Sequence, residues 1–193
     1  MLFADIEGFT AIAETVEPER TIALLRSFHR RMGKVVFANG GTIDKYIGDC
    51  VMATFGTPRP GPRDALRALR CARAMVDEAD RWNRKRAERG AFAVHVGVGL
   101  HWGDAVVANI GDDRRLELTV IGDVVNVASR VERLSRERRA RLVVSESALA
   151  AATRDGAEED GLLEGLIPCG EAELRGRRAS LAIRMLPRPT AQP

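Results

Sequence analysis

The sequence predicts an α+β domain of ferredoxin-like kind: a mostly antiparallel sheet with helices on one face. Three observations carry this. Val94, Val96, Val98 and Leu100 alternate with His95, Gly97, Gly99 and His101, the period of a strand. Two long stretches repeat at three- and four-residue steps instead, Ile22, Leu25, Phe28, Met32, Val35, Val36 and then Leu66, Leu69, Met75, Val76, Trp82, the period of a helix with one buried face. Along the chain such segments run strand, helix, strand, strand, helix, strand, strand, with further elements appended.

In order, Met1 to Asp5 reads as a strand that starts abruptly, so an upstream segment in a longer parent protein is expected. A short helix follows through Val16. Pro18 opens a long helix, where its missing N–H costs little, and Gly40-Gly41 ends it. Ile43 to Phe55 reads as a hairpin turning at Gly48-Asp49, because glycine accepts positive φ without a Cβ clash. A Pro-rich loop, Pro58 to Pro62, leads to Asp64 as the N-cap of a second long helix ending near Gly90. After the Val94–Leu100 strand, Ala105 to Ile110 and Leu116 to Val120 form a hairpin with a polar tip. Val124 to Leu134 is a helix, Leu142 to Val144 a strand, and Ser145 caps a short helix. Thr153 to Gly161 is expected to be a mobile acidic loop. Leu162 to Leu174 and Ser180 to Leu186 are closing strands around the basic turn Arg175 to Arg178. The expected division is one domain over 1–186 and a disordered Pro-rich tail over 187–193.

Composition narrows the function. The chain has 193 residues, 45% hydrophobic and 30% charged, enough for one domain with a substantial core. No window reaches the ~18 apolar residues of a membrane span, and Asp5 interrupts the apolar start, so no secretory signal is visible. Three cysteines without metal spacing, Cys50, Cys71 and Cys169, suit reduced thiols and a cytoplasmic setting, although the parent could still be membrane-attached. The net charge is +3, and the Arg-rich stretches read as solvated helix faces. With 5% aromatics and no stacking motif, no nucleic-acid partner is expected.

Two carboxylates stand out. Asp5 ends the first strand and Asp49 sits in the hairpin turn; in a ferredoxin-like sheet these are neighbours, so both can converge at one sheet end. Two Asp with few other ligands suit Mg²⁺ when phosphates supply the remaining oxygens, and a pair of such ions can clamp a phosphoryl displacement. On their own they could equally be turn and cap residues. Lys45, two positions before Ile47, adds an ammonium to the same hairpin.

Four stretches resemble class III nucleotidyl (adenylyl/guanylyl) cyclase catalytic domains. Leu2-Phe3-Ala4-Asp5-Ile6-Glu7-Gly8-Phe9-Thr10 is similar to the family's opening signature, and Asp44-Lys45-Tyr46-Ile47-Gly48-Asp49 to its second metal-site hairpin. Gly97-Val98-Gly99-Leu100-His101-Trp102-Gly103 resembles its glycine-rich strand, and the block from Thr119 to Arg130 its last catalytic block. The resemblance implies conversion of a nucleoside triphosphate to a 3′,5′-cyclic monophosphate and pyrophosphate. It implies two Mg²⁺ or Mn²⁺ ions held by Asp5, Asp49 and the Ile6 carbonyl, a ribose oriented by Asn126, and Arg130 facing charge on the α-phosphate. Lys45 and Thr119 match the family's purine-reading pair. Lysine only donates, which suits adenine N1, and an accepting threonine suits the N6 amine; guanylyl members carry Glu and Cys or a similar pair there. ATP is therefore the expected substrate, with softer discrimination than an aspartate would give, because a hydroxyl can also donate. Arg177 resembles a phosphate-binding lysine, with Arg175 and Arg178 as rivals. The family's sites lie between two domains, so a homodimer is implied in which Asn126 and Arg130 complete the partner's site. The alternatives are guanylate or mixed specificity, and a regulatory module that binds nucleotide without turnover.

Overall fold

The first strand divides the protein into two faces. In the computed structural model, which describes residues 1–112, 114–173 and 180–189, β1 spans Leu2–Ile6. Leu2, Ala4 and Ile6 enter the main core, while Phe3 enters a smaller core on the other side. Asp5 shares the face of Phe3 through the two-residue period of a strand.

Helices α1 (Phe9–Thr15) and α2 (Pro18–Ala38) follow, with Gly40 at φ 68° just beyond α2. The α2 stripe runs in four-residue steps, Leu24, Phe28, Met32, Val36, all buried; Ile22, expected on it, falls outside those steps and is 50% exposed. The expected hairpin forms from β2 (Thr42–Ile47) and β3 (Cys50–Thr54), with Gly48 at φ 60° in its turn. Its register slips between Ile43 and Lys45, leaving Asp44 as the extra residue of a bulge. Helix α3 (Asp64–Ala87) buries Leu66, Leu69, Met75, Val76 and Trp82. Arg63, not Asp64, holds its cap position; Asp64 is the first helical residue, and its carboxylate reaches back to the Gly61 N–H at 2.7 Å.

Beyond these come β4 (Val96–Leu100), β5 (Val106–Asp112), β6 (Arg115–Ile121), α4 (Asp123–Glu137), β7 (Ala140–Ser145), α5 (Glu146–Arg154), β8 (Ile167–Ala172) and β9 (Leu181–Pro187). One sheet has the order β2-β3-β1-β4-β7-β9-β8, antiparallel except for β4 beside β7, and β5-β6 is a separate hairpin. Ser145 caps α5 as expected, its hydroxyl accepting from the Ala148 N–H at 3.3 Å.

The α+β class and antiparallel sheet are as read from the sequence, with one difference in layering. α2, α3 and α5 share the main core, but α4 packs on the opposite face, where Val124 and Ala128 meet Phe3 and Met52. Gly97 and Gly99 admit it: a Cβ at Gly99 would overlap the Glu132 backbone, and one at Gly97 would overlap the Ser135 hydroxyl. The acidic loop also differs from expectation. Ala157 is fully buried, Asp155 accepts from the Leu66 N–H at 3.4 Å, and Asp160 pairs with Arg70 at 2.5 Å. These contacts anchor the loop to α3. At the far end Pro187 still belongs to β9, and the Arg188 N–H donates to Arg139 O at 3.3 Å. Among the described residues no helix is long and apolar enough to cross a membrane.

Candidate active site

Sheet register brings the two acids together. Asp5 pairs with Cys50 across β1 and β3, and Asp49 immediately precedes Cys50 in the turn. The Asp49 carboxyl lies within hydrogen-bonding reach of Asp5. Burial first, then the Asp49 carboxyl as hydrogen-bond partner and like charge, and then Glu132 push Asp5 up to about 8; Arg136, 3.6 Å from Asp5 Oδ2, opposes them. Asp5 Oδ1 is buried without a hydrogen-bond partner. Two adjacent carboxylates, one with an orphaned oxygen, fit a divalent cation that offsets their repulsion. Among the described residues no three acidic, His or Cys side chains gather as a metal cage, so further ligand oxygens would have to come from substrate, water or backbone. The Ile6 side chain is fully buried in the main core, which leaves only its carbonyl as a donor to such an ion.

The turn carrying Asp49 is braced from α2. A His29 ring nitrogen lies 3.0 Å from Gly48 O, and the ring stacks on Tyr46 with centroids 4.3 Å apart. The Cys50 thiol between the acids is pushed far up, by burial first and then by Asp5, Glu132 and Asp49, so it fills space as a neutral thiol.

Lys45 and Thr119 are also brought together. The β5-β6 hairpin lies against β2, and the Thr119 hydroxyl donates to Asp44 Oδ2 at 2.9 Å. Lys45 Nζ lies 2.5 Å from Glu117 Oε1 and 3.5 Å from Asp44 Oδ2. Asn126 and Arg130 sit one turn apart on α4, away from the buried stripe Val124, Val127, Ala128 and Val131. Asn126 is exposed and Arg130 half-buried, and neither side chain bonds to another described residue. Arg177, with its rivals Arg175 and Arg178, lies outside the described residues.

Sequence reasoning missed four residues here. Glu132 and Arg136 flank Asp5 from α4, Glu117 holds Lys45, and Asp44 holds Thr119. The i, i+4 pair on α4 was visible in the sequence, but the glycine gap that drops it onto Asp5 is a packing property. Asp44 stood inside the hairpin signature, yet simple alternation gives no sign of the bulge that redirects it.

An antiparallel sheet with an acid pair at one end, a Lys–Thr pair beside it and a helix seated on glycines defines the class of protein. The chain belongs to the adenylate and guanylate cyclase catalytic domain family, whose description matches residues 1–179. It is 38% identical over 151 residues to an adenylate cyclase of Anabaena cylindrica, covering 76% of this chain and 29% of that protein's length. The solved adenylyl cyclase CyaB of P. aeruginosa superposes with a TM-score of 0.82 at 29% identity, covering 95% of this chain and 90% of that one. The solved guanylyl cyclase Cya2 gives a TM-score of 0.79 at 28% identity, covering 95% of this chain and 88% of that one. The family uses divalent metal ions.

Proposed function

We propose that this domain converts ATP to 3′,5′-cyclic AMP and pyrophosphate, at sites shared between two copies of the chain. The observation that carries the reading is the Asp5–Asp49 pair with its orphaned buried oxygen. Two Mg²⁺ or Mn²⁺ ions would be held there by Asp5, Asp49 and the Ile6 carbonyl. When bound they would supply a lowered pKa at the ribose 3′-hydroxyl and countercharge for the triphosphate. The 3′-oxygen bonds to the α-phosphorus as the bond to the β-phosphate breaks, pyrophosphate leaves and the hydroxyl proton passes to water. Lys45 donates to adenine N1 and Thr119 accepts from the N6 amine. Asn126 positions the ribose and Arg130 meets the charge growing on the α-phosphate, both from the partner copy; losing one such donor costs about 10²–10³ in rate. Arg177 is assigned to the triphosphate tail.

The outward placement of Asn126 and Arg130 supports the shared site, as does exposed apolar surface on the β5-β6 hairpin, where Leu116 is 68% and Leu118 60% exposed. A symmetric dimer is the commonest closed arrangement. The A. cylindrica relative is far longer than this chain, which supports a regulatory segment in a longer parent protein; a cytoplasmic setting belongs to the same proposal. The test is cyclic AMP formation with Mn²⁺ or Mg²⁺: wild type should be active and Asp5→Ala should lose at least about 10²-fold. Equal activity in both would reject the acid-pair reading. The likeness to a guanylyl cyclase favours a second reading, guanylate or mixed specificity, which equimolar ATP and GTP would separate.

A further inference from the structure

Thr119 can in principle read either base, because a hydroxyl carries one hydrogen and also accepts. In the folded chain that hydrogen is already committed: Thr119 Oγ1 donates to Asp44 Oδ2 at 2.9 Å. The Asp44 carboxylate cannot easily turn away, since its Oδ1 accepts from the Val120 N–H at 3.2 Å. Its side chain is only 6% exposed, so water competes poorly for it. It is placed there by the bulge between Ile43 and Lys45. Thr119 itself is half-buried, so part of it stays accessible to a ligand.

We propose that Asp44 is a positioning residue for base choice: it fixes the Thr119 hydroxyl as an acceptor toward the purine and so selects ATP over GTP. The proposal rests on the pose given above, with Lys45 at N1 and Thr119 at the 6-substituent. Adenine places an acceptor at N1 and a donating amine at N6, which matches an ammonium beside an oxygen lone pair. Guanine in that pose sets N1–H against the Lys45 ammonium and its O6 lone pairs against those of Thr119. A freely rotating hydroxyl could relieve the second clash by donating to O6; one held by Asp44 cannot.

Asp44→Asn tests this. The amide oxygen takes the Val120 N–H, which turns the amide NH₂ toward Thr119; that group donates to the hydroxyl oxygen and frees its proton to face the purine. The ratio of kcat/KM for ATP over GTP should fall about tenfold, and competition binding of the two nucleotides should shift in the same direction. In a Thr119→Ala background the same change should leave the ratio where Thr119→Ala alone puts it. If Asp44→Asn lowers both activities equally with the ratio unchanged, Asp44 is only structural and the proposal is wrong. If Thr119→Ala itself leaves the ratio unchanged, the base-site reading fails and takes this proposal with it. Should Asp44→Asn lose its cooperative melting transition, the unmodified protein can be given purine riboside triphosphate, which keeps N1 and lacks the amine. A loss of about tenfold against ATP supports an accepting Thr119, and equal turnover overturns it.

Discussion

Asp5 and Asp49 illustrate what two carboxylates do when register forces them together. Burial first, and then the neighbouring Asp49 carboxyl, raise the free energy of the Asp5 charge, so Asp5 is pushed up to about 8. Without a cation this is a destabilising arrangement. Asp49→Asn should therefore raise the melting temperature of the metal-free protein by about 2–4 °C for each kcal/mol of repulsion relieved. The same variant should lose the further stabilisation that Mn²⁺ gives wild type, because a cation that binds only the folded state stabilises by mass action. A thermal melt with and without chelator checks both; a metal-free melting temperature that falls would show that the acids are not in conflict. Asp44 makes the complementary point. A carboxylate that is never near the reaction can govern what a neighbouring hydroxyl offers a ligand, because it decides where one proton points.

At the scale of elements, the placement of α4 depends on residues without side chains. β4 presents Val96, Val98 and Leu100 to the main core and Gly97 and Gly99 to α4, so the helix lies almost on the backbone. This brings Glu132 and Arg136 over Asp5 while Asn126 and Arg130 remain on the outer side. Gly99→Ala should force the helix off the sheet and cost about 1–3 kcal/mol or more, as overpacking does. That corresponds to a drop of several degrees in the melting temperature, and an unchanged melt would show that α4 has room to spare. The bracing of the β2-β3 turn by His29, at 3.0 Å from Gly48 O, is a second case of one element holding the site residue of another.

At the scale of the whole molecule, the site residues fall into two sets facing different directions. Asp5, Asp49, Lys45 and Thr119 gather around β1, the β2-β3 hairpin and β6, whereas Asn126 and Arg130 face outward from α4. The proposed shared site requires a second copy of the chain to bring the sets together. Mixing Asp49→Ala with Asn126→Ala protein should then restore up to about a quarter of wild-type activity, the statistical yield if one intact site forms per mixed dimer. Leu118→Arg in both chains should abolish that recovery by placing charge on the apolar hairpin. A dead mixture of two variants that still dimerise, as judged by sedimentation, would end the shared-site reading.

The sequence by itself determined the class of fold and the hairpin turning at Gly48-Asp49, and it allowed Asp5 and Asp49 to converge at one sheet end. Those features follow from short-range periodicity, from a glycine that takes φ 60° without a Cβ clash, and from the neighbour relations of an antiparallel sheet. Only the tertiary structure decided which face α4 covers, which carboxylates crowd Asp5, and which way the Thr119 hydroxyl points. Each of these depends on contacts between residues far apart in the chain, such as Thr119 with Asp44 and Glu132 with Gly99. Such contacts exist only after a bulge shifts one register and a helix settles on Gly97 and Gly99; the glycines stand in the strand pattern, but no local pattern of residue types records the bulge or names the helix that approaches.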